Sequence, residues 1–95
     1  MKMIKYSVIG TSWITKAFID GAKLVPELSL SGVFSRTKER GEAFAAETGA
    51  KKVFASLFEL ASDDCDFVYV ASPNSCHFEQ CKYLLSHKKS VICEK

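Results

Sequence analysis

The stretch Val8-Ile9-Gly10-Thr11-Ser12-Trp13-Ile14-Thr15 joins a short apolar run to an amphipathic one, and the rest of the chain is organised around that junction. In a strand-to-helix turn that holds a dinucleotide, a first glycine permits the tight reversal and a second lets backbone approach a pyrophosphate. A third allows close packing of helix on strand, while the helix N-terminus offers N–H donors and positive potential. Of that G-x-G-x-x-G pattern only Gly10 is present, with Ser12 and Thr15 at the other two positions. An ordinary βα turn carries such residues equally well, so the stretch alone leaves both readings open. The Ser12 hydroxyl suits either, since it can donate to a phosphate oxygen or cap the helix. Thr15 is β-branched and is expected to hold helix and strand slightly apart.

Before the junction, Ile4–Ile9 is a candidate strand. After it, Ile14, Ala17, Phe18, Gly21, Ala22 and Val25 recur at the three-four spacing of one helix face, which Pro26 stops. Leu28–Ser35 is β-like. Thr37 is placed to cap a second helix running to Thr48, with Glu39 favouring its N-terminal dipole and Gly49 at its C-cap. Lys52–Phe54 is a short strand, and Ser56-Leu57-Phe58-Glu59 is a capping-box pattern that opens a brief third helix. Phe67–Ala71 is continuously apolar, as a strand covered on both faces should be. Ser72–Ser75 is a turn, Cys76–His87 reads as a fourth helix with Phe78, Cys81, Leu84 and Leu85 inward, and Val91–Cys93 is a fifth strand. This alternation predicts an α/β fold, a Rossmann-like doubly wound parallel sheet of about five strands with helices on both faces.

Two more places carry chemistry. About twenty residues past the glycine turn, NAD-binding units usually place an acid that bonds the adenosine ribose hydroxyls. This chain has Ser35-Arg36-Thr37 there. With no carboxylate to repel a 2′-phosphate, a guanidinium and two hydroxyls are available to bind one, which predicts NADP in preference to NAD. A solvated arginine at a strand end is the alternative. The third place is Ala71-Ser72-Pro73-Asn74-Ser75-Cys76-His77 together with Lys88-Lys89-Ser90-Val91-Ile92-Cys93-Glu94-Lys95. These follow strand four and flank strand five, beside the switch point where doubly wound sheets bind ligands.

In these pieces, and in their order along essentially all 95 residues, the chain resembles the N-terminal domain of the Gfo/Idh/MocA oxidoreductases. The pieces are Val-Ile-Gly-Thr-Ser-Trp-Ile-Thr, Val-Phe-Ser-Arg-Thr with Ala43-Phe44-Ala45, Ala-Ser-Pro-Asn-x-x-His, and Lys-Ser-Val-Ile-Cys-Glu-Lys. In that family a Glu-Lys-Pro motif follows the fifth strand, with its lysine beside substrate and nicotinamide. The resemblance thus implies Lys95 as the catalytic residue, with Glu94 before it, and Pro73 and Asn74 at the nicotinamide end of the cofactor. With the turn residues Gly10, Thr11, Ser12, Trp13 and Ile14, it implies a cofactor site completed by Ser35, Arg36, Thr37, Ser72 and His77. Ser12 and Thr15 replace small family residues, and Lys88 stands where the family commonly has glycine. The family's second α/β domain has no counterpart in residues 1–95. The resemblance therefore implies the cofactor half of an oxidoreductase that moves hydride between NAD(P) and an alcohol carbon of a sugar, polyol or related small molecule. Such a half is expected to lack turnover by itself.

Composition sets the outer bounds. Of the 95 residues 47% are hydrophobic and 25% charged, with a net charge of +2, which describes one globular domain with neither half of the sequence polarised. Bulk-charge binding of nucleic acid or of a membrane surface is not expected, and no stretch reaches the length of a membrane span. The N-terminus lacks a continuous apolar signal region, so the four cysteines, without any C-x-x-C, read as buried reduced thiols of a cytoplasmic protein. His77 and Cys81 share a helix face, but Cys76 points about 140° from Cys81, so no local metal site is expected. An uncovered fifth strand, a free edge, predicts a homo-oligomer. A non-catalytic dinucleotide-binding or sensing module is the competing function. A methyltransferase-like domain is disfavoured, because its ribose-binding acid after strand two is missing as well.

Overall fold

Five β-branched and aromatic-rich runs form strands, and each pair is joined by a helix. The computed structural model describes residues 3–71 and 74–93, with backbone alone over 74–78. Strands β1 (Ile4–Ile9), β2 (Leu28–Phe34), β3 (Lys52–Phe54), β4 (Phe67–Val70) and β5 (Ser90–Cys93) alternate with helices α1 (Trp13–Ala22), α2 (Lys38–Thr48), α3 (Leu57–Ser62) and α4 (Asn74–Ser86). All neighbours pair in parallel, in the order β3-β2-β1-β4-β5. This is the Rossmann-like α/β sheet that the alternation predicts. The chain steps outward from β1 to β3, then crosses back to β4 on the other side of β1.

That reversal sorts the helices. Tyr6, Val8, Val33 and Tyr69 face one side of the sheet and pack with Ile19 and Ala22 of α1 and Phe44 and Ala45 of α2. Ile9, Val68 and Val70 face the other, with Leu60 and Ala61 of α3 and Leu84 of α4. Right-handed crossovers require this arrangement once the direction of travel changes. Phe18 anchors α1 by stacking on Tyr69, ring centres 4.0 Å apart, and meeting Tyr6 edge-on at 5.7 Å. Each fully buried aliphatic side chain contributes about 1.5–3 kcal/mol.

Local chemistry sets the helix ends. The Thr37 hydroxyl accepts from the Arg40 amide and the Ser56 hydroxyl from the Glu59 amide, while Gly49 closes α2 in the left-handed conformation. The capping box is displaced by one residue, because the Glu59 carboxylate accepts from the Ala55 amide, not from that of Ser56. Between Tyr6 and Ser7 the β1–β2 register shifts, leaving Ser31 as the extra residue. Its hydroxyl donates to Asp63 at 3.0 Å, and the Lys52 ammonium donates to the same carboxylate. The Lys89 ammonium reaches the carbonyl oxygens of Asp63 and Cys65, so this polar knot braces the sheet at the end opposite the glycine turn.

Several expectations need correction. Helix α1 does not bury the face carrying Ala17, Gly21 and Val25: Ala17 and Gly21 are exposed, Val25 lies beyond the helix, and Thr15, Ile19 and Ala22 are the buried residues. The stripe is rotated because Thr15, polar and so outside an apolar count, is buried with its hydroxyl 3.5 Å from that of Ser12. Helix α4 begins at Asn74, two residues before the expected start, and ends at Ser86. Leu85 is 60% exposed, whereas Leu84 beside it is fully buried where α4 packs on β4, β5 and α3. The cysteines are not uniformly buried: Cys65 is, Cys81 is half-buried and Cys93 is exposed. Among the described residues no helix is long and apolar enough to cross a membrane.

Candidate functional site

Because β2 and β4 flank β1, the chain leaves the ends of β1 and β4 in opposite directions, opening a crevice at the carboxyl edge of the sheet. Gly10 lies there with φ 106°, a left-handed conformation that a side chain at this position would strain. Its amide donates to the Phe34 carbonyl at 3.0 Å, and the Ala71 amide donates to the Ile9 carbonyl at 3.0 Å. These two bonds bring the exits of β2 and β4 to the glycine turn.

Helix α1 starts at this edge. Its N-cap, Ser12, makes no side-chain capping bond, and no acidic residue occupies the first turn. The first helical bond at this end is from the Lys16 amide to the Ser12 carbonyl, at 3.1 Å. The amides ahead of Lys16 therefore lack helical acceptors and carry the positive end of the helix dipole. Together with a glycine that clears the approach, this donor set fits a pyrophosphate. Trp13 projects beside it, 78% exposed, while Ile14 packs partly against the core. Thr11 is half-buried and Ser12 exposed.

Ser35, Arg36 and Thr37 follow β2 at the same edge. Ser35 is half-buried, and Arg36 and Thr37 are exposed. The Thr37 hydroxyl oxygen already accepts from Arg40, so what it retains for a ligand is chiefly its proton. Sequence reasoning overlooked Gly41. A Cβ there would lie 2.9 Å from the Val53 side chain and 3.5 Å from Ser35, so glycine lets the start of α2 close onto β3 beside Ser35. Its signal was a glycine inside an otherwise helical stretch.

Asn74 is the first residue of α4, not part of a turn, and His77 lies in the first turn of the same helix. Ser72, Pro73, Glu94 and Lys95 lie outside the described residues, as do the side chains of Asn74 and His77. Cys93, the last described residue, pairs with Val70 at the carboxyl edge. Among the described residues no three His, Cys, Asp or Glu side chains are grouped to hold a metal ion.

The family described as an oxidoreductase family with an NAD-binding Rossmann fold (Gfo/Idh/MocA) matches residues 4–95. Scyllo-inositol 2-dehydrogenase (NADP(+)) IolU of Bacillus subtilis is 45% identical over 94 residues, 98% of this chain and 29% of that protein. The uncharacterized oxidoreductase YgjR of Escherichia coli is 47% identical over 94 residues, with the same coverage. The crystal structure of GenD2 from gentamicin A biosynthesis in complex with NAD superposes with a TM-score of 0.92 at 25% identity, covering 100% of this chain and 27% of that one. The chain thus spans less than a third of the length of these relatives.

Proposed function

The chain belongs to the Gfo/Idh/MocA oxidoreductases, with their NAD(P)-binding Rossmann fold, and from that premise we propose that it is the cofactor half of a dehydrogenase acting on an alcohol carbon of a polyol or sugar. The observation that carries this reading is the left-handed Gly10 turn beside the uncapped start of α1, with the end of β2 hydrogen-bonded to it. The bound nicotinamide supplies the hydride chemistry.

This chain's residues do the rest. The α1 amides and the Ser12 hydroxyl hold the pyrophosphate. Ser35, Arg36 and Thr37 hold the 2′-phosphate of NADP, the preferred cofactor, and the relative named for NADP(+) supports that choice. Trp13, Thr11 and Ile14 line the turn, and Ser72, Pro73, Asn74, His77 and Glu94 border the nicotinamide end. Lys95 takes up the alcohol proton or donates a hydrogen bond to the developing alkoxide. Residues 1–95 are one domain; substrate walls come from a second one, in a homo-oligomeric cytoplasmic protein.

The test is a titration of NADPH and NADH, with NADP⁺ reduction followed across a polyol panel that includes inositols. Saturable NADPH binding and turnover by the whole protein are expected. Binding without turnover on any polyol or sugar would favour a sensing module instead.

A further inference from the structure

At the amino edge of the sheet, the C-terminal ends of α1 and α2 lie over β1 and β2 and leave a cavity of about 250 Å³. Leu28 and Leu30 of β2 are its aliphatic wall, and its most buried polar side chain is Tyr6 of β1, 1% exposed. The Tyr6 ring stacks on Phe67, centres 5.4 Å apart, and meets Phe18 edge-on, which leaves its hydroxyl end for the cavity. Burial alone acts on that phenol, pushing it up and keeping it a protonated donor. Thr48, also buried there, already donates to the Phe44 carbonyl at 2.8 Å. Lys23 and Lys51 stand exposed at the mouth, and neither is paired with an acid among the described residues. At the two helix ends the Ile19 carbonyl accepts from the Lys23 amide, and the Ala45 carbonyl from the Gly49 and Ala50 amides. Positive charge is therefore what the mouth offers a ligand.

We propose that this cavity is a binding site for a small organic carboxylate with an apolar body. The carboxylate accepts a hydrogen bond from the Tyr6 hydroxyl and is balanced by Lys23 and Lys51, while the body packs on Leu28 and Leu30. A buried donor without a protein acceptor favours an anion, because the bond it gains is charge-assisted. A cation would meet two like charges at the mouth, and inorganic phosphate would leave the leucine wall unused. The cavity has room for about eight waters at roughly 30 Å³ each, which suits a ligand the size of benzoate and is too small for a dinucleotide. Its floor is set by the packing of α1, α2 and Phe67 on β1 and β2, within this domain. The site lies at the edge of the sheet opposite the Gly10 turn and needs nothing from the cofactor reading.

Benzoate is titrated into the whole protein by calorimetry, with NADP⁺ in excess so that the glycine turn is filled. One saturable benzoate site is expected. Tyr6→Phe keeps the ring and removes only the donor, and should weaken benzoate roughly tenfold or more, with the circular dichroism unchanged. Lys51→Gln alters an exposed side chain and should weaken benzoate severalfold, a second reading that does not depend on how the Tyr6 variant folds. Neutral benzamide, of nearly the same shape, should bind far more weakly than benzoate. Absence of saturable benzoate binding, affinity undiminished in Tyr6→Phe or in Lys51→Gln, or displacement of benzoate by an equal concentration of inorganic phosphate overturns the proposal.

Discussion

The Gly10 amide donates to the Phe34 carbonyl at 3.0 Å, fastening the turn after β1 to the end of β2 one residue before Ser35-Arg36. The bond sets the start of the segment that carries Ser35 and Arg36 beside the glycine turn.

Arg36→Ala should lower the ratio of NADPH to NADH affinity by roughly ten- to hundredfold, since a charge-assisted bond is worth about 1.5–3 kcal/mol. Parallel titrations with both cofactors measure it. An unchanged ratio would remove Arg36 from the 2′-phosphate site.

Gly10→Val should abolish cofactor binding while preserving helical content. At φ 106° a β-branched side chain forces the reversal to rearrange. Circular dichroism and NADPH fluorescence, read together, separate a lost site from a lost fold.

Asp63 is worked on in two directions. Burial opposes its charge, but hydrogen bonds from Lys52 and Ser31 outweigh that and hold its carboxyl below the usual range. A depressed folded-state pKa stabilises fully above about pH 4 and less as pH falls through the folded value. Asp63→Asn should cost about 1–3 kcal/mol near neutrality and flatten the acid limb of stability. Urea unfolding at stepped pH checks both, and a variant with an unaltered acid limb would exclude Asp63 as its source.

Lys88 sits at φ 65°, closing α4 while the Lys89 amide reaches the Leu84 carbonyl at 3.0 Å. A left-handed lysine costs about 1–2 kcal/mol, part of which glycine returns through a looser unfolded chain. Lys88→Gly should therefore stabilise by roughly 0.5–1 kcal/mol, raising the melting temperature by several degrees in calorimetry.

Gly32→Ala should destabilise by about 1–3 kcal/mol. The added Cβ would lie 2.6 Å from the Phe54 ring and 2.9 Å from the Lys52 carbonyl, and the latter is backbone that cannot step aside cheaply. The denaturation midpoint reports it.

Features governed by short-range physics were legible along the chain. Thr37, Ser56 and Gly49 announce helix ends because their bonds close within a few residues. The unbroken apolar run at β4 announces a strand buried on both faces, and Val68 and Val70 are buried on one side and Tyr69 on the other. Gly10 and Arg36 were legible as candidates because a turn and a missing acid are local facts. Which side of α1 is buried was settled by the tertiary structure, which packs Phe18, Ile19 and Ala22 against Tyr6 and Tyr69 of the sheet. That structure alone placed β4 beside β1 and turned Ser31 toward Asp63. Those outcomes depend on contacts between residues far apart in the chain. Their pairing is chosen by the packing of whole faces, and no window of neighbouring residues encodes it.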